Sequence, residues 1–226
     1  MDRETLARAI DQTLLNPTVG YQGAAEWMDG SATAGFAALC VSPFLVPLAS
    51  QRLAGTSTFV CSVCGFPLGY DNTESKAEEA ARLVSLGCHE IDMVLNIAAL
   101  LEGDDAFVRD DIGAVVRTVT DTSDGHAVVK VILETGYLEL SQIERACTLA
   151  VAAGASFVKT STGFGPRGAS IEDVRLMRAT VGPDIGVKAA GGIRDLDTAL
   201  GMLEAGATRL GTSSGLEILE ALEARG

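Results

Sequence analysis

Eight short apolar runs recur along the chain, separated by longer stretches in which apolar and polar positions follow a helical spacing. The runs occupy residues 10–15, 37–41, 58–63, 90–95, 128–133, 156–161, 186–190 and 209–213. Most are almost continuously hydrophobic, the pattern of parallel strands covered on both faces. Between them, TESKAEEAARLVSLG, LSQIERACTLAVAAG, DLDTALGMLEAG and LEILEALEARG read as amphipathic helices, the first with acidic residues early and glycine at its end, as helix polarity and C-capping favour. Strand and helix alternating eight times, at about 28 residues per unit, predict a (β/α)8 TIM barrel. A short helix precedes the first strand. No low-complexity segment or composition break marks a linker, so residues 1–226 are expected to form a single domain. A doubly wound open sheet is the alternative, disfavoured because no G-x-G-x-x-G follows the first run.

Composition narrows the partners. A net charge of −13 opposes long-range attraction to nucleic acid or an anionic membrane. No run approaches the roughly 20 apolar residues of a membrane span, and the start, MDRETLARAIDQ, is charged rather than signal-like. The expectation is cytoplasmic residence, with five cysteines as reduced thiols. Homo-oligomerisation, as a dimer or tetramer, is left open.

The barrel reading directs attention to strand ends, because catalytic groups in this fold come from the C-terminal ends of strands and the loops after them. Four of the 17 basic residues are lysines. Three of these, Lys130, Lys159 and Lys188, lie in the fifth, sixth and seventh apolar runs, which are neighbours around a barrel. A lysine in an apolar strand is costly unless it is paired or loses its charge. A lone one would be read as snorkelling or a structural ion pair; three converging ask for chemistry. An amine must be neutral to attack a carbonyl, and burial or a second ammonium promotes that state. Alternation places Gly186 and Ala190 on the same face as Lys188, leaving room beside it in the mouth. Asp92, in HEIDMVLN, is the matching buried carboxylate and a candidate proton relay, with a structural bridge to Lys130 alone as the bland alternative. Asp11 invites the same two readings. Lys130 is open between tuning Asp92 and touching substrate.

Three glycine-containing loops follow the later strands: TSTGFGPRG, AAGGIRD and GTSSGLEI. Barrels often bind phosphate in the loops after the last two strands, through backbone N–H groups. Gly191 and Gly192 would let the backbone approach an anion, and Ser213 and Ser214 would add hydroxyl donors or cap the last helix. Such a cradle needs little formal positive charge. A zinc site from Cys61, Cys64, Cys88 and His89 is discounted, since residues three apart on a strand face opposite ways. His126 and Trp27 offer no constellation, and Cys40 reads as a small hydrophobe.

Taken together, IDQTLLNP, GFAALCVSP, VCGFPLGYD, EIDMVLN, VKVILETGYL, FVKTSTGFG, VKAAGGIR and RLGTSSG resemble the deoxyribose-phosphate aldolase family along nearly the whole chain. The resemblance implies a class I aldolase, without metal or cofactor, that reversibly cleaves 2-deoxy-D-ribose 5-phosphate to D-glyceraldehyde 3-phosphate and acetaldehyde. It implies that Lys159 forms the Schiff base, that Lys188 and Asp92 move protons, and that phosphate contacts fall on Thr162, Gly163, Gly191, Gly192, Gly211, Ser213 and Ser214; Lys130 and Asp11 stay as candidate supporting residues from the strand pattern. The chain departs from the family's opening block, IDHTLLKP, at Gln12 and Asn16, and ends in EARG where some relatives carry a tyrosine-bearing tail. A Schiff-base aldolase for another phosphorylated sugar and a non-catalytic sugar-phosphate-binding barrel stand as alternatives.

Overall fold

Every one of the eight apolar runs becomes a strand in the computed structural model, which describes residues 1–225. The strands are β1 (Ile10–Leu14), β2 (Ala38–Val41), β3 (Phe59–Cys64), β4 (Glu90–Val94), β5 (Val128–Ile132), β6 (Phe157–Lys159), β7 (Gly186–Ala190) and β8 (Arg209–Thr212). They pair in parallel in chain order, and β8 returns to β1 to close the barrel. The helices are α1 (Arg3–Arg8), α2 (Tyr21–Ser31), α3 (Val46–Arg52), α4 (Thr73–Ser85), α5 (Ile97–Glu102), α6 (Asp105–Thr122), α7 (Leu140–Ala152), α8 (Ile171–Val181), α9 (Leu196–Glu204) and α10 (Gly215–Arg225). The last expected helix runs to Gly226, which lies outside the described residues. Among those described, no helix is long and apolar enough to cross a membrane.

Local sequence explains the helix limits. Side chains of Asp2, Asn72, Ser170 and Asp195 accept from the N–H groups of Thr5, Ser75, Asp173 and Thr198, capping α1, α4, α8 and α9. At the other ends the amides of Cys88, Ala155 and Ala207 turn back to the carbonyls of Leu83, Ala150 and Met202, each at 3.0 Å, satisfying carbonyls that the helix leaves unpaired.

The sixth strand is shorter than its apolar run. At Thr160 the side chain takes over the pairing: its Oγ1 donates to the Ala190 carbonyl at 3.1 Å and accepts the Ala190 amide at 3.0 Å. The Thr160 amide still donates to the Lys188 carbonyl at 3.0 Å, and the backbone ladder to β7 ends there.

Strand alternation separates two interiors. Outward-facing residues such as Ile10, Leu39, Val60, Ile91, Met93, Val131, Val158 and Leu210 form the large apolar core with the helices. The barrel lumen is different. Ala38, Cys40, Cys61 and Val63 make a small apolar patch on one side, and across from it stand Asp11, Glu90, Asp92, Lys130, Lys159, Lys188 and Arg209. The remaining lysine, Lys76, is buried outside the lumen, where its ammonium meets Asp111 at 2.8 Å and the Val94 carbonyl at 3.2 Å, tying α4 and α6 to the end of β4.

Candidate active site

Register brings the lysines together. Asp92 lies opposite Lys130, Lys159 opposite Lys188, and Lys188 opposite Arg209. All these positions point into the lumen, so their charged ends converge there. The centre is the Asp92 carboxylate: Oδ1 accepts from Lys130 Nζ at 2.7 Å, and Oδ2 from both Lys159 Nζ and Lys188 Nζ at 2.7 Å. The bridge to Lys130 is therefore one of three. Asp11 receives Lys188 Nζ on Oδ2 at 2.5 Å and the Arg209 guanidinium on Oδ1. Glu90, which the sequence reading passed over, receives Lys130 at 2.6 Å and Arg209 at 3.2 Å.

Such a network stands only because each charge is answered, since several unpaired ions in a desolvated lumen would unfold the barrel. Burial pushes the Asp92 carboxyl up, but Lys130, Lys159 and Lys188 outweigh it and hold the group well below the usual carboxylate range. Asp11 is lowered too, with burial offset by Lys188, Lys130 and Arg209. Burial pulls Lys188 and Lys130 down, yet the facing carboxylates raise both well above ordinary lysine. General acid–base groups work best with pKa values near neutrality. In the resting cluster Asp92 and Lys188 are instead driven apart, Asp92 by Lys130, Lys159 and Lys188 and Lys188 by Asp11 and Asp92.

Above the cluster lies a cavity of about 530 Å³ at the C-terminal ends of the strands, the face where barrels place their chemistry. Lys159 is on its wall, and it is 3% exposed where Lys130, Lys188, Asp11 and Asp92 are all at 0%. Lys130 has no access to the cavity, which leaves it the Asp92 and Glu90 side of the ambiguity. Of the residues expected at a phosphate, Thr162, Gly163, Gly191, Gly192, Gly211 and Ser213 line the cavity. Ser214 does not; its amide is taken by Thr212 Oγ1 at 2.9 Å and its carbonyl starts α10. Thr162 turns both its amide and its hydroxyl to the buried Glu134 carboxylate. Gly191 and Gly192 hold positive φ, at 88° and 81°, a conformation that suits glycine.

Two expectations need correction. Gly186 does not open the mouth: it lies at the N-terminal end of β7, where a Cβ would run into the Phe157 ring. Period-two alternation puts it on the right face but says nothing of depth, and only Ala190 reaches the cavity. Trp27, set aside from sequence, is half-buried on α2 and forms part of the cavity wall. Nothing in its sequence neighbourhood signals this, since Trp27 and the loops after β7 and β8 come to one cavity only when the barrel closes. Arg194 was also missed, although the motif GGIR places its exposed guanidinium at the cavity, adding the formal charge that the expected cradle lacked.

Gln12 and Asn16 occupy the two departing positions. The Gln12 side chain is buried and bridges β1 to the last loop: its Oε1 accepts the Gly215 amide at 2.9 Å and its Nε2 donates to the Ser213 carbonyl at 3.3 Å. Asn16 lines the cavity and accepts from the amide and hydroxyl of Thr18. Cys61 and Cys64 do face opposite ways, Cys61 toward Asp92 and Cys64 toward the Lys76 carbonyl. His89 and His126 lie at a separate cavity of about 510 Å³, with Thr56, Phe59 and Cys88.

Comparison with known proteins finds relatives over nearly the whole chain. A family model described as DeoC/LacD family aldolase matches residues 5–221. The chain is 50% identical to the deoxyribose-phosphate aldolase of Bacillus subtilis, covering 98% of each chain. It is also 50% identical to that of Thermococcus kodakarensis, over 97% of this chain and 98% of the other. Among solved structures, the tetrameric deoxyribose phosphate aldolase from Aeropyrum pernix superposes with a TM-score of 0.91 at 31% identity, over 100% of this chain and 94% of that one. A protein described as QR15, an aldolase, gives 0.91 at 41% identity, over 97% and 96%.

Proposed function

The chain belongs to the DeoC/LacD aldolase family, and on that premise we propose that it reversibly cleaves 2-deoxy-D-ribose 5-phosphate to D-glyceraldehyde 3-phosphate and acetaldehyde, with Lys159 as the Schiff-base nucleophile. One observation carries the assignment of the amine. Of the four cations in the lumen, Lys159 alone borders the cavity, and it alone answers to a single carboxylate oxygen, which it shares with Lys188. Lys130, Lys188 and Arg209 each hold two or more carboxylates. A neighbouring ammonium disfavours a second charge on the same oxygen. Lys159 is therefore the cation that loses least by giving up its proton.

The chemistry follows from that placement. The neutral Lys159 amine adds to the substrate aldehyde and water leaves, forming an iminium. The iminium draws in the electrons of the C2–C3 bond as the 3-hydroxyl loses its proton, so that glyceraldehyde 3-phosphate departs and an enamine stays on Lys159. Protonation at C2 and hydrolysis release acetaldehyde and restore the amine. Asp92, an anion facing this nitrogen, takes up protons, and the Lys188 ammonium supplies them. Arg194, the Gly191–Gly192 turn and Ser213 hold the phosphate at the open side. Binding energy from that remote group fixes the reacting end.

Mass spectrometry after incubation with deoxyribose 5-phosphate and borohydride tests the assignment. A reduced two-carbon adduct is expected on the peptide carrying Lys159; an adduct on another lysine overturns it.

Gln12 acts on the phosphate end in this reading. With leucine in its place, the Gly215 amide and the Ser213 carbonyl lose their partners and the last loop relaxes. A lost hydrogen bond of about 1 kcal/mol corresponds to roughly a five- to tenfold rise in KM. The turnover number should change little. Steady-state kinetics check the split, and a fall confined to kcat would contradict it.

A further inference from the structure

Arg209 sits at the N-terminal end of β8, below the reacting layer and away from the cavity. Its guanidinium lies over the Phe157 ring, with Cζ 5.5 Å from the ring centroid, and Gly186 leaves the space that ring fills. From there it contacts Asp11 and Glu90, the carboxylates that in turn hold Lys188 and Lys130. It pairs with neither Asp92 nor Lys159, so any effect on the reaction passes through charge.

Around the barrel, the ionisable groups that share the lumen with Lys159 are Asp11 on β1, the thiols of Cys40 on β2 and Cys61 on β3, Glu90 and Asp92 on β4, Lys130 on β5, Lys188 on β7 and Arg209 on β8. Glu134 stands past the end of β5, turned to Thr162. Burial pushes the Cys61 thiol up, and its hydrogen bond draws Cys40 down. Leaving the thiols aside, three carboxylates, Asp11, Glu90 and Asp92, face three cations besides Lys159. The lumen is thus balanced when Lys159 is an amine and carries one excess positive charge when it is an ammonium. Without Arg209 that parity reverses.

We propose that Arg209 is a positioning residue for the aldol reaction: by occupying Asp11 and Glu90 it supplies the third cation that makes a charge on Lys159 surplus. The inference rests on Lys159 as nucleophile. A residue that merely braces Phe157 and the strand ends would affect stability without moving the pH dependence of catalysis.

The pH profile of kcat/KM for deoxyribose 5-phosphate cleavage separates the two. Arg209→Met should move the limb that rises with deprotonation upward by about one pH unit, a roughly tenfold loss at a pH on that limb, while Arg209→Lys restores much of the wild-type profile. Glu90→Gln, which leaves the lumen one negative charge short, should move the limb the opposite way. The double variant Arg209→Met with Glu90→Gln regains parity and should return the limb toward the wild-type position. Should Arg209→Met not fold, the Glu90→Gln shift decides alone. An active wild type with limbs unmoved in Arg209→Met or Glu90→Gln overturns this inference only; a wild type that releases no aldehyde overturns the proposed function with it.

Discussion

Replacing Lys159 with methionine is expected to lower aldehyde release by on the order of 10⁴-fold or more and to abolish borohydride trapping of the substrate. Methionine keeps the stem and removes the amine, so the electron sink disappears while the cavity keeps its shape. The effect on stability is expected to be small or favourable. Lys159 is the fourth cation facing three carboxylates and has one partner, Asp92 Oδ2, which keeps Lys188 at 2.7 Å. Removing the surplus charge leaves no carboxylate unpaired. Thermal unfolding beside the trapping assay checks both halves. Adduct formation that survives the change would place the nucleophile on another residue.

Asp92→Asn should harm activity and stability together. The carboxylate is the common acceptor of Lys130, Lys159 and Lys188, and taking away its charge leaves buried ammonium groups short of a partner, at a cost of about 3 to 5 kcal/mol. Loss of the proton acceptor next to the reacting nitrogen should lower kcat by about 10²- to 10⁴-fold. Denaturant midpoints at several pH values give the sign. A carboxyl held well below its usual range stabilises the fold above its unfolded value of about 3.9, and that contribution fades as pH falls below this point toward the folded value. The stability gap between wild type and variant should therefore be full at pH 7 and narrow below about pH 4. A gap that stays constant or widens on acidification would show that Asp92 is not an ion-paired anion.

In the proposed reaction, the lumen lets an acidic protein present a reactive amine. With a net charge of −13, its exterior favours cations in general, yet the inner layer is nearly self-compensated. Screening by salt acts on the exterior and little on the lumen. Substrate capture should thus respond to ionic strength more than the chemical step does.

Much of this was legible in the chain. The apolar runs mark strand positions to within a residue at most ends, because both-face burial imposes continuous hydrophobicity. Lys130, Lys159, Lys188 and Asp92 stand out because a charge within such a run has few bland explanations. The exceptions share a cause. Strand six ends early because Thr160 pairs through its side chain with Ala190, thirty residues on. Glu90 and Arg209 look like ordinary polar strand ends, and Trp27 like a helix residue, until the barrel closes around them.

Element order, strand faces and helix caps are set by neighbours within a few positions, so the amino-acid sequence determines them unaided. Which carboxylate answers which ammonium was decided only by the closed barrel, where Lys188 meets Asp11 across 177 positions and Asp92 across 96. Coulomb interactions depend on distance through space, and burial depth depends on every strand at once, so neither exists until the ring is complete.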